Sequence, residues 1–201
     1  MSFSLSAFEF RLRARTPIFL PRFSGSTFRG GFGMSFKRTV CIFRPGHCEE
    51  CPHRRHCPYL YIFETPVDRL SGIHLSNGHA PHPFVLEPEL EYPEKIEPET
   101  EFTFRLNLIG KGVDYLHFFI FTFGRLGEIG LGKGRGKFLV ESVFTDLGPR
   151  MRIYSGNDGL VKRNYSVFQW EGPDRAPQGK SDHDYLILLR HILDLRASSL
   201  F

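Results

Sequence analysis

All four cysteines of the 201-residue chain fall within residues 41–57, in a pattern that suits a metal ion. Cys48 and Cys51 are separated by two residues, a spacing at which two thiolates can bind one ion from a tight turn. Cys41 and Cys57 flank this pair and would complete a tetrahedral shell of thiolates. Such a shell leaves no open coordination position, so the sequence predicts a structural metal, zinc ahead of an iron-sulfur cluster, that folds a loop of low hydrophobic content.

Two disulfides, four free thiols and a catalytic metal are the alternatives for this cluster. Disulfides are disfavoured in a cytoplasmic protein, and free cysteines are more often scattered through an apolar core. A catalytic metal would use His47 or His56 in place of one thiolate, which would then have no role. On the same loop, Arg44, Arg54 and Arg55 are candidates for reaching a phosphate.

A second group of residues that could do chemistry lies in the glycine-rich segment, residues 130–137. Its glycines and cations are Gly130, Gly132, Lys133, Gly134, Arg135, Gly136 and Lys137. A phosphate backbone can lie on peptide N–H groups where side-chain bulk is missing, while neighbouring cations neutralise it. A P-loop is excluded, because it ends in Gly-Lys-Ser/Thr and leads into a helix, whereas this segment leads into a strand. A flexible turn is the plain alternative.

Charge is distributed unevenly along the chain. Residues 1–60 hold ten basic and three acidic side chains, residues 61–130 five and eleven, and residues 131–201 eleven and eight. Two basic regions therefore flank an acidic middle, and they would make a surface for a polyanion if the fold places them side by side. A solvated basic face is the alternative. The first basic region contributes the candidate RNA ligands Arg22, Arg29, Lys37 and Arg38.

The elements that must position these residues follow the order strand, helix, strand, strand, helix, strand. Alternation of apolar and polar side chains predicts the strands at residues 8–15, 83–87, 102–108 and 138–144. Apolar residues at helical spacing predict helices over residues 26–41 and 113–129. Gly30 and Gly31 in the first helix cost about 1 kcal/mol each relative to alanine, which indicates close approach of another backbone or a ligand.

This order of elements predicts an α+β fold, a ferredoxin-like (RRM-like) βαββαβ domain with the four-cysteine metal knuckle as an insertion. We expect the domain to span residues 1–147 and residues 148–201 to be a C-terminal extension, the start of an incomplete second domain. Within that extension, residues 151–154 and 165–170 are expected to pair as a hairpin.

The composition and the short apolar runs of the sequence argue against a membrane-spanning protein. Hydrophobic residues make up 41% of the chain, enough for a core without staples. No apolar run approaches the roughly 20 residues that a membrane span needs. Glu9 and Arg11 interrupt the start of the chain where a secretory signal would be apolar, so we expect a cytoplasmic protein.

Four segments occur in an order that is shared with a known superfamily. They are the helix start at residues 23–33, the cysteine knuckle with the Pro-Tyr-Leu-Tyr-Ile-Phe-Glu run at 58–64, residues 83–88 and the glycines at 130–136. Over residues 3–145 the chain thereby resembles the repeat-associated mysterious protein (RAMP) superfamily, and it is most similar to the CRISPR precursor-RNA processing endoribonucleases within it.

The resemblance implies a ferredoxin-like domain that binds CRISPR repeat RNA, with other CRISPR effector subunits as further partners. It also implies metal-independent cleavage, in which a ribose 2′-hydroxyl attacks the adjacent phosphate and leaves a 2′,3′-cyclic phosphate and a 5′-hydroxyl. Such proteins often carry a histidine as general base in the first helix, but Met34 occupies that region here and cannot move a proton. The other histidines considered for this role are His74, His79, His82 and His117, and the catalytic residue stays unassigned.

Three functions are therefore open at the level of sequence. The first is an endoribonuclease that processes CRISPR repeat transcripts. The second is a non-catalytic RNA-binding RAMP subunit, or a degenerate remnant of one, that holds RNA through Arg29, Lys133 and Arg135. The third is a zinc-ribbon adaptor between proteins, with no role in RNA binding.

Overall fold

An antiparallel sheet covered on one face by two helices forms the body of the protein. The computed structural model describes residues 2–43, 48–64 and 81–171. Phe3–Trp170 make up one compact unit, to which nearly all of the described residues belong. Residues 172–201 lie outside the described residues, so the incomplete second domain stays a prediction.

The helices and strands of the described residues are numbered in chain order. The strands are β1 Ser2–Ala14, β2 Ile18–Phe19, β3 Phe84–Pro88, β4 Lys95–Ile96, β5 Glu101–Ile109, β6 Phe138–Thr145, β7 Arg152–Ser155 and β8 Phe168–Glu171. The helices are α1 Gly25–Val40 and α2 Leu116–Ile129, both within three residues of the predicted bounds. In this part of the chain, no helix is both long enough and apolar enough to cross a bilayer.

The strand order of the main sheet is β3-β5-β1-β6-β7, and each neighbouring pair is antiparallel. With α1 between β1 and β3 and α2 between β5 and β6, this arrangement is compatible with the predicted ferredoxin-like fold. β2 and β4 form a separate two-stranded ribbon. The predicted hairpin is wrong, because β7 pairs with β6 and β8 pairs with β1. A lone hairpin is marginal in water, whereas strands added to a larger sheet bury residues such as Ile153.

Phenylalanine side chains fill the space between the sheet and the helices. The ring centres of Phe104 and Phe123 are 4.5 Å apart, and those of Phe10 and Phe104 are 4.6 Å apart. Phe32 of α1 stacks on Phe119 of α2 at 4.9 Å. Each such pair adds about 0.5–1.5 kcal/mol beyond the burial of its area. The apolar stripe of α1 therefore faces the sheet and α2, as its four-residue spacing predicts.

The two glycines inside α1 differ in their surroundings. A Cβ atom at Gly31 would lie 3.3 Å from the side chains of Leu126 and Leu131, tighter than ordinary van der Waals contact, whereas one at Gly30 would meet nothing within 4 Å. Gly31 therefore allows α1 to pack closely against the end of α2. The atoms nearest to Gly31 belong to leucine side chains, so neither glycine shows the expected close approach of another backbone.

The other face of the sheet, which we call the outer face, carries arginines with acidic partners. Arg11 and Arg150 both bind the carboxylate of Glu9, with N–O distances of 2.8 and 2.6 Å. Arg105 lies 3.2 Å from a carboxylate oxygen of Asp146. Arg13 in turn is paired with Glu141. Each of these four arginines thus has an acidic partner within the protein.

Candidate nucleic-acid interface

The glycine-rich segment folds as a tight hairpin that is fastened to β2. Leu131 and Gly136 exchange two backbone hydrogen bonds of 2.9 and 3.0 Å, and the Lys133 N–H donates to the Phe19 carbonyl oxygen at 3.1 Å. Most peptide N–H groups of the segment are used in this way. Among the described residues, the N–H groups of Gly132 and Gly134 have no hydrogen-bond partner. The expectation that this segment offers bare peptide groups is thereby narrowed to two of them.

Two glycines of the hairpin meet different constraints. Gly132 has φ +71° and Gly134 has φ +84°, both in the left-handed region that favours glycine. A Cβ atom at Gly132 would collide with the Phe19 carbonyl oxygen, whereas one at Gly134 would meet open space. Arg135 also has a positive φ, +54°, which costs about 1–2 kcal/mol for a residue with a side chain. A strained cation of this kind is a reason to look for function nearby.

A cleft of about 660 Å³ opens between α1 and this hairpin, and we call it the α1 cleft. Its apolar lining is Phe19, Leu20, Pro21, Met34, Leu126, Ile129 and Leu131. Its polar lining is Thr27, Ser35, Arg38, Lys133 and Arg135, and its glycines are Gly31, Gly130 and Gly132. The first helix and the glycine-rich segment thus lie side by side. The hypothesis of a surface for a polyanion depended on this arrangement.

The cations of the α1 cleft have no acidic partner among the described residues. Arg38 enters from the last turn of α1, and Lys133 and Arg135 enter from the hairpin. None of the three forms an ion pair within the part of the chain that the structure describes, and no carboxylate lines the cleft. Three positive charges without a partner around one concavity are an arrangement that can attract an anion and bind phosphates by charge-assisted hydrogen bonds.

The remaining predicted RNA ligands lie outside the lining of the α1 cleft. The guanidinium of Arg29 lies 5.1 Å from the ring centre of Phe84, and that of Arg22 lies 5.8 Å from the ring centre of Phe23. Lys37 faces the cysteines instead. Three residues belong to the hairpin or follow it without lining the cleft. They are Gly134 at the exposed tip, Gly136 buried against β2, and Lys137, whose N–H donates to Thr16 Oγ1 at 2.8 Å.

Neither described histidine that was considered as a general base lines the α1 cleft. His82 Nδ1 lies 3.2 Å from the Ile62 carbonyl oxygen. Burial and the nearby charge of Arg163 lower the pKa of His117, although a hydrogen bond with the Asp114 backbone opposes them. His74 and His79 lie outside the described residues. The side chain from the expected histidine region that does reach the cleft is Met34.

Three exposed apolar residues line the α1 cleft, a role that the sequence did not predict for them. They are Phe19, Met34 and Ile129, whose exposed fractions are 43%, 66% and 40%. Ile129 carried a signal, because it lies off the apolar stripe of α2 that faces the sheet. Phe19 carried none, because the two-residue strand that holds it pairs with Lys133, which is distant in the sequence.

The four cysteines line one small cavity of about 20 Å³, together with Lys37 and Tyr59. This volume is roughly what one water molecule or one ion needs. All four are free thiols, so the alternative of two disulfides is not found. The Cys41 thiol donates to the Phe43 carbonyl oxygen at 3.1 Å. As the side chains stand, no three His, Cys, Asp or Glu residues among those described are close enough to share an ion.

The segment around these cysteines has few other sources of stability. Ile42 and Phe43 are exposed, and neither the Arg54–His56 turn nor its neighbours at 52 and 53 bury a side chain. The Cys41 N–H donates to the Lys37 carbonyl oxygen, so the residue that caps the C-terminal end of α1 is the first of the four cysteines. The donor type and the cavity size therefore fit a metal, and an ion would need to draw the thiols together. Arg44 and His47 lie outside the described residues.

Comparisons of the sequence found a matching domain family and a similar protein. Residues 3–165 match the sequence model of AF_1859_N, described as an N-terminal domain. An uncharacterised protein of Archaeoglobus fulgidus is 26% identical over 187 residues, which cover 92% of this chain. The match covers 62% of that relative, so this chain spans less than two thirds of its length.

One solved structure shares the fold. It is a chain from the crystal structure of the Csm3-Csm4 subcomplex in the type III-A CRISPR-Cas interference complex. The TM-score is 0.50 at 16% sequence identity, and the match covers 79% of this chain and 93% of that chain. At this level of identity the likeness concerns the fold alone.

Proposed function

This chain belongs to the AF_1859_N family of N-terminal domains, and we propose that it binds RNA through the α1 cleft. The observation that carries the proposal is the trio Arg38, Lys133 and Arg135, which line one concavity where the described part of the chain places no carboxylate. Phosphate contacts supply most of the affinity of proteins for nucleic acid. The unpaired N–H of Gly132, in the same lining, adds a neutral donor for a phosphate oxygen.

A role in a CRISPR system is the form of RNA binding that the fold favours. The Csm3-Csm4 chain belongs to a CRISPR-Cas interference complex, and this chain has a similar fold. We therefore propose CRISPR repeat RNA as the ligand and other subunits of a CRISPR effector as protein partners. The charges of the α1 cleft support an RNA ligand independently of this likeness.

Repeat cleavage is a finer prediction than repeat binding, and it rests on the resemblance alone. The lining of the α1 cleft includes no histidine, and Met34 occupies the region of the expected general base. Binding without cleavage is therefore the function that the described residues support better. A 2′,3′-cyclic phosphate on the product would restore the endoribonuclease reading.

The direct test is fluorescence anisotropy of a labelled CRISPR repeat RNA, titrated with protein in buffer without added divalent metal. We expect saturable binding that weakens as salt rises, since counterions are released from the phosphates. Gel analysis of the same samples separates binding from cleavage. Absence of binding at low salt, by protein that is folded by circular dichroism, would contradict the proposal.

We also propose that Cys41, Cys48, Cys51 and Cys57 hold a structural zinc ion. Four thiols around one ion-sized cavity support it, in a segment that buries few apolar side chains. A bound zinc ion would act as a cross-link that replaces a hydrophobic core. Lys37, which lines the same cavity, would offset the excess negative charge of four thiolates.

Metal analysis of protein purified without a metal-affinity column tests this proposal. We expect about one zinc ion per chain in the wild type. In Cys48→Ser, we expect both the zinc content and the melting temperature to fall. His53→Ala, which removes an exposed side chain from the same segment, is the matched control and should retain the metal. Folded wild-type protein with no bound metal of any kind would overturn the assignment.

A further inference from the structure

Exposed apolar side chains line the α1 cleft beside its cations. Phe19 and Met34 are 43% and 66% exposed, and Ile129 adds a third apolar surface at the end of α2. Phosphate recognition requires none of these, since a phosphate is bound by cations and N–H donors. Large apolar side chains kept in contact with water within a concave site indicate a ligand with an apolar part.

The size of the cleft limits what that ligand can be. A volume of about 660 Å³ lies within the usual range for sites that take a ligand of nucleotide size. An A-form duplex is too wide to enter it and keeps its bases stacked, away from protein side chains. A base that is neither paired nor stacked can leave the strand and lie on an aromatic or aliphatic surface.

Phe19 is held next to a cation by the backbone. Its carbonyl oxygen accepts the Lys133 N–H at 3.1 Å, and on its other side β2 pairs with β4, where Phe19 lies opposite Lys95. Ile18, its neighbour in β2, is fully buried and anchors the strand. The backbones of Phe19 and Lys133 therefore belong to one short ladder, so their two side chains start from neighbouring, fixed Cα positions before a ligand arrives.

Resting on the RNA-binding role proposed above, we infer that the α1 cleft takes one unpaired nucleotide of single-stranded RNA. Its base lies on the apolar surface formed by Phe19, Met34 and Ile129. Its flanking phosphates are held by Arg38 from α1 and by Lys133 and Arg135 from the hairpin. The protein therefore binds single-stranded RNA and discriminates against the same sequence in a duplex.

Anisotropy titrations with one labelled RNA, single-stranded or annealed to its complement, test the inference. We expect the duplex to bind about tenfold more weakly or worse. Phe19→Ala should raise the Kd for the single strand about tenfold, whereas Phe19→Trp should retain affinity, since base stacking tolerates any aromatic ring. Phe121→Ala, at an aromatic residue of α2 that is 59% exposed and outside the cleft, is the matched control and should change nothing.

The outcomes separate this inference from the RNA-binding proposal. If replacing Arg38, Lys133 and Arg135 weakens binding while Phe19→Ala has no effect, or if duplex binds as tightly as single strand, the nucleotide pocket is wrong and RNA binding stands. If neither RNA binds the wild type, the RNA-binding proposal itself fails. In the Phe19→Trp variant, quenching of the added tryptophan by single-stranded RNA, beyond any change of Trp170 in the wild type, would support a base on this side chain.

Discussion

The outer face of the sheet and the α1 cleft both display basic side chains, yet they differ in what surrounds them. On the outer face, Arg11 and Arg150 share Glu9, and Arg105 has Asp146. In the α1 cleft, Arg38 and the two hairpin cations have no acidic neighbour among the described residues. The number of basic residues is similar in the two regions, so the presence of partners is what separates them.

The difference indicates which surface is available to RNA. An RRM-like domain commonly stacks bases on aromatic rings of its open sheet face. Here Phe144 on that face is covered by the guanidinium groups of Arg11 and Arg150, whose centres lie 5.1 and 4.8 Å from its ring centre. RNA would have to break these contacts and ion pairs to reach the sheet. The α1 cleft asks for no such exchange, which is why we place the ligand there.

Removing three cations from each region should have the largest contrast. Arg38→Gln/Lys133→Gln/Arg135→Gln and Arg11→Gln/Arg105→Gln/Arg150→Gln each remove three positive charges from a formal net charge of +4. We expect the cleft triple to raise the Kd for RNA about 100-fold, and the outer-face triple to stay within about threefold. Equal losses in anisotropy titrations would show that only net charge matters, and the comparison would break.

Giving a cleft cation an acidic partner should have the next largest effect. Met34→Glu places a carboxylate four residues before Arg38 on α1, the spacing that favours an ion pair. We expect the Kd for RNA to rise about tenfold while the free energy of unfolding stays level or rises by about 0.3–0.5 kcal/mol. Met34→Gln is the uncharged control for anisotropy and denaturant unfolding. If it weakens binding as much as Met34→Glu, lost apolar contact rather than the carboxylate is responsible.

Two alanine substitutions in the hairpin test how firmly the cleft is built. Gly132→Ala would place a methyl group against the Phe19 carbonyl oxygen, so we expect a loss of about 3 kcal/mol in the free energy of unfolding. Gly134→Ala enters open space and carries only the strain of its positive φ, about 1 kcal/mol. Denaturant titration measures both. Equal costs would mean that the packing of the hairpin on β2 does not hold the cleft.

The smallest expected effect belongs to the outer face. Burial alone would raise the pKa of the Glu9 carboxyl, but hydrogen bonds from Arg150 and Arg11 outweigh it and hold this pKa below its ordinary value of 4.5. The ion pairs therefore stabilise the fold above pH 4.5 and are lost as pH falls through the lowered pKa. We expect Glu9→Gln to cost about 1 kcal/mol or less at pH 7, and the cost to shrink as pH falls below 4.5, without changing RNA affinity. A difference in unfolding free energy that does not shrink as pH falls would contradict this account.

The secondary structure could be predicted from periodic patterns, whereas the direction of side chains at the surface could not. The four-residue spacing of Phe28, Phe32 and Phe36 has one solution, a helix with that stripe buried, and the structure confirms it. The sequence predicts both Lys37 and Arg38 to be exposed cations in the same turn of α1. They point about 100° apart around the helix, one to the cysteine cavity and the other to the cleft.

The candidate site depended on contacts between residues that are distant in the sequence. The alternating glycines and the cations between them could be identified from the sequence alone. That the hairpin docks on β2, through Phe19 and Lys133, could not be predicted, because a two-residue strand has no periodicity to detect. Phe19, on the apolar side of the cleft, was missed for the same reason, and the hairpin's use of most of its own N–H groups was missed with it.

The salt dependence of RNA binding tests the central claim most directly. Log Kd would be measured against log salt for the wild type and for Arg38→Gln/Lys133→Gln/Arg135→Gln with one single-stranded RNA. Each phosphate contact on a single strand contributes about 0.7 to this slope, so the account predicts that the triple variant loses about 2. An unchanged slope, or wild-type binding that ignores salt, would contradict a phosphate site built from these three cations.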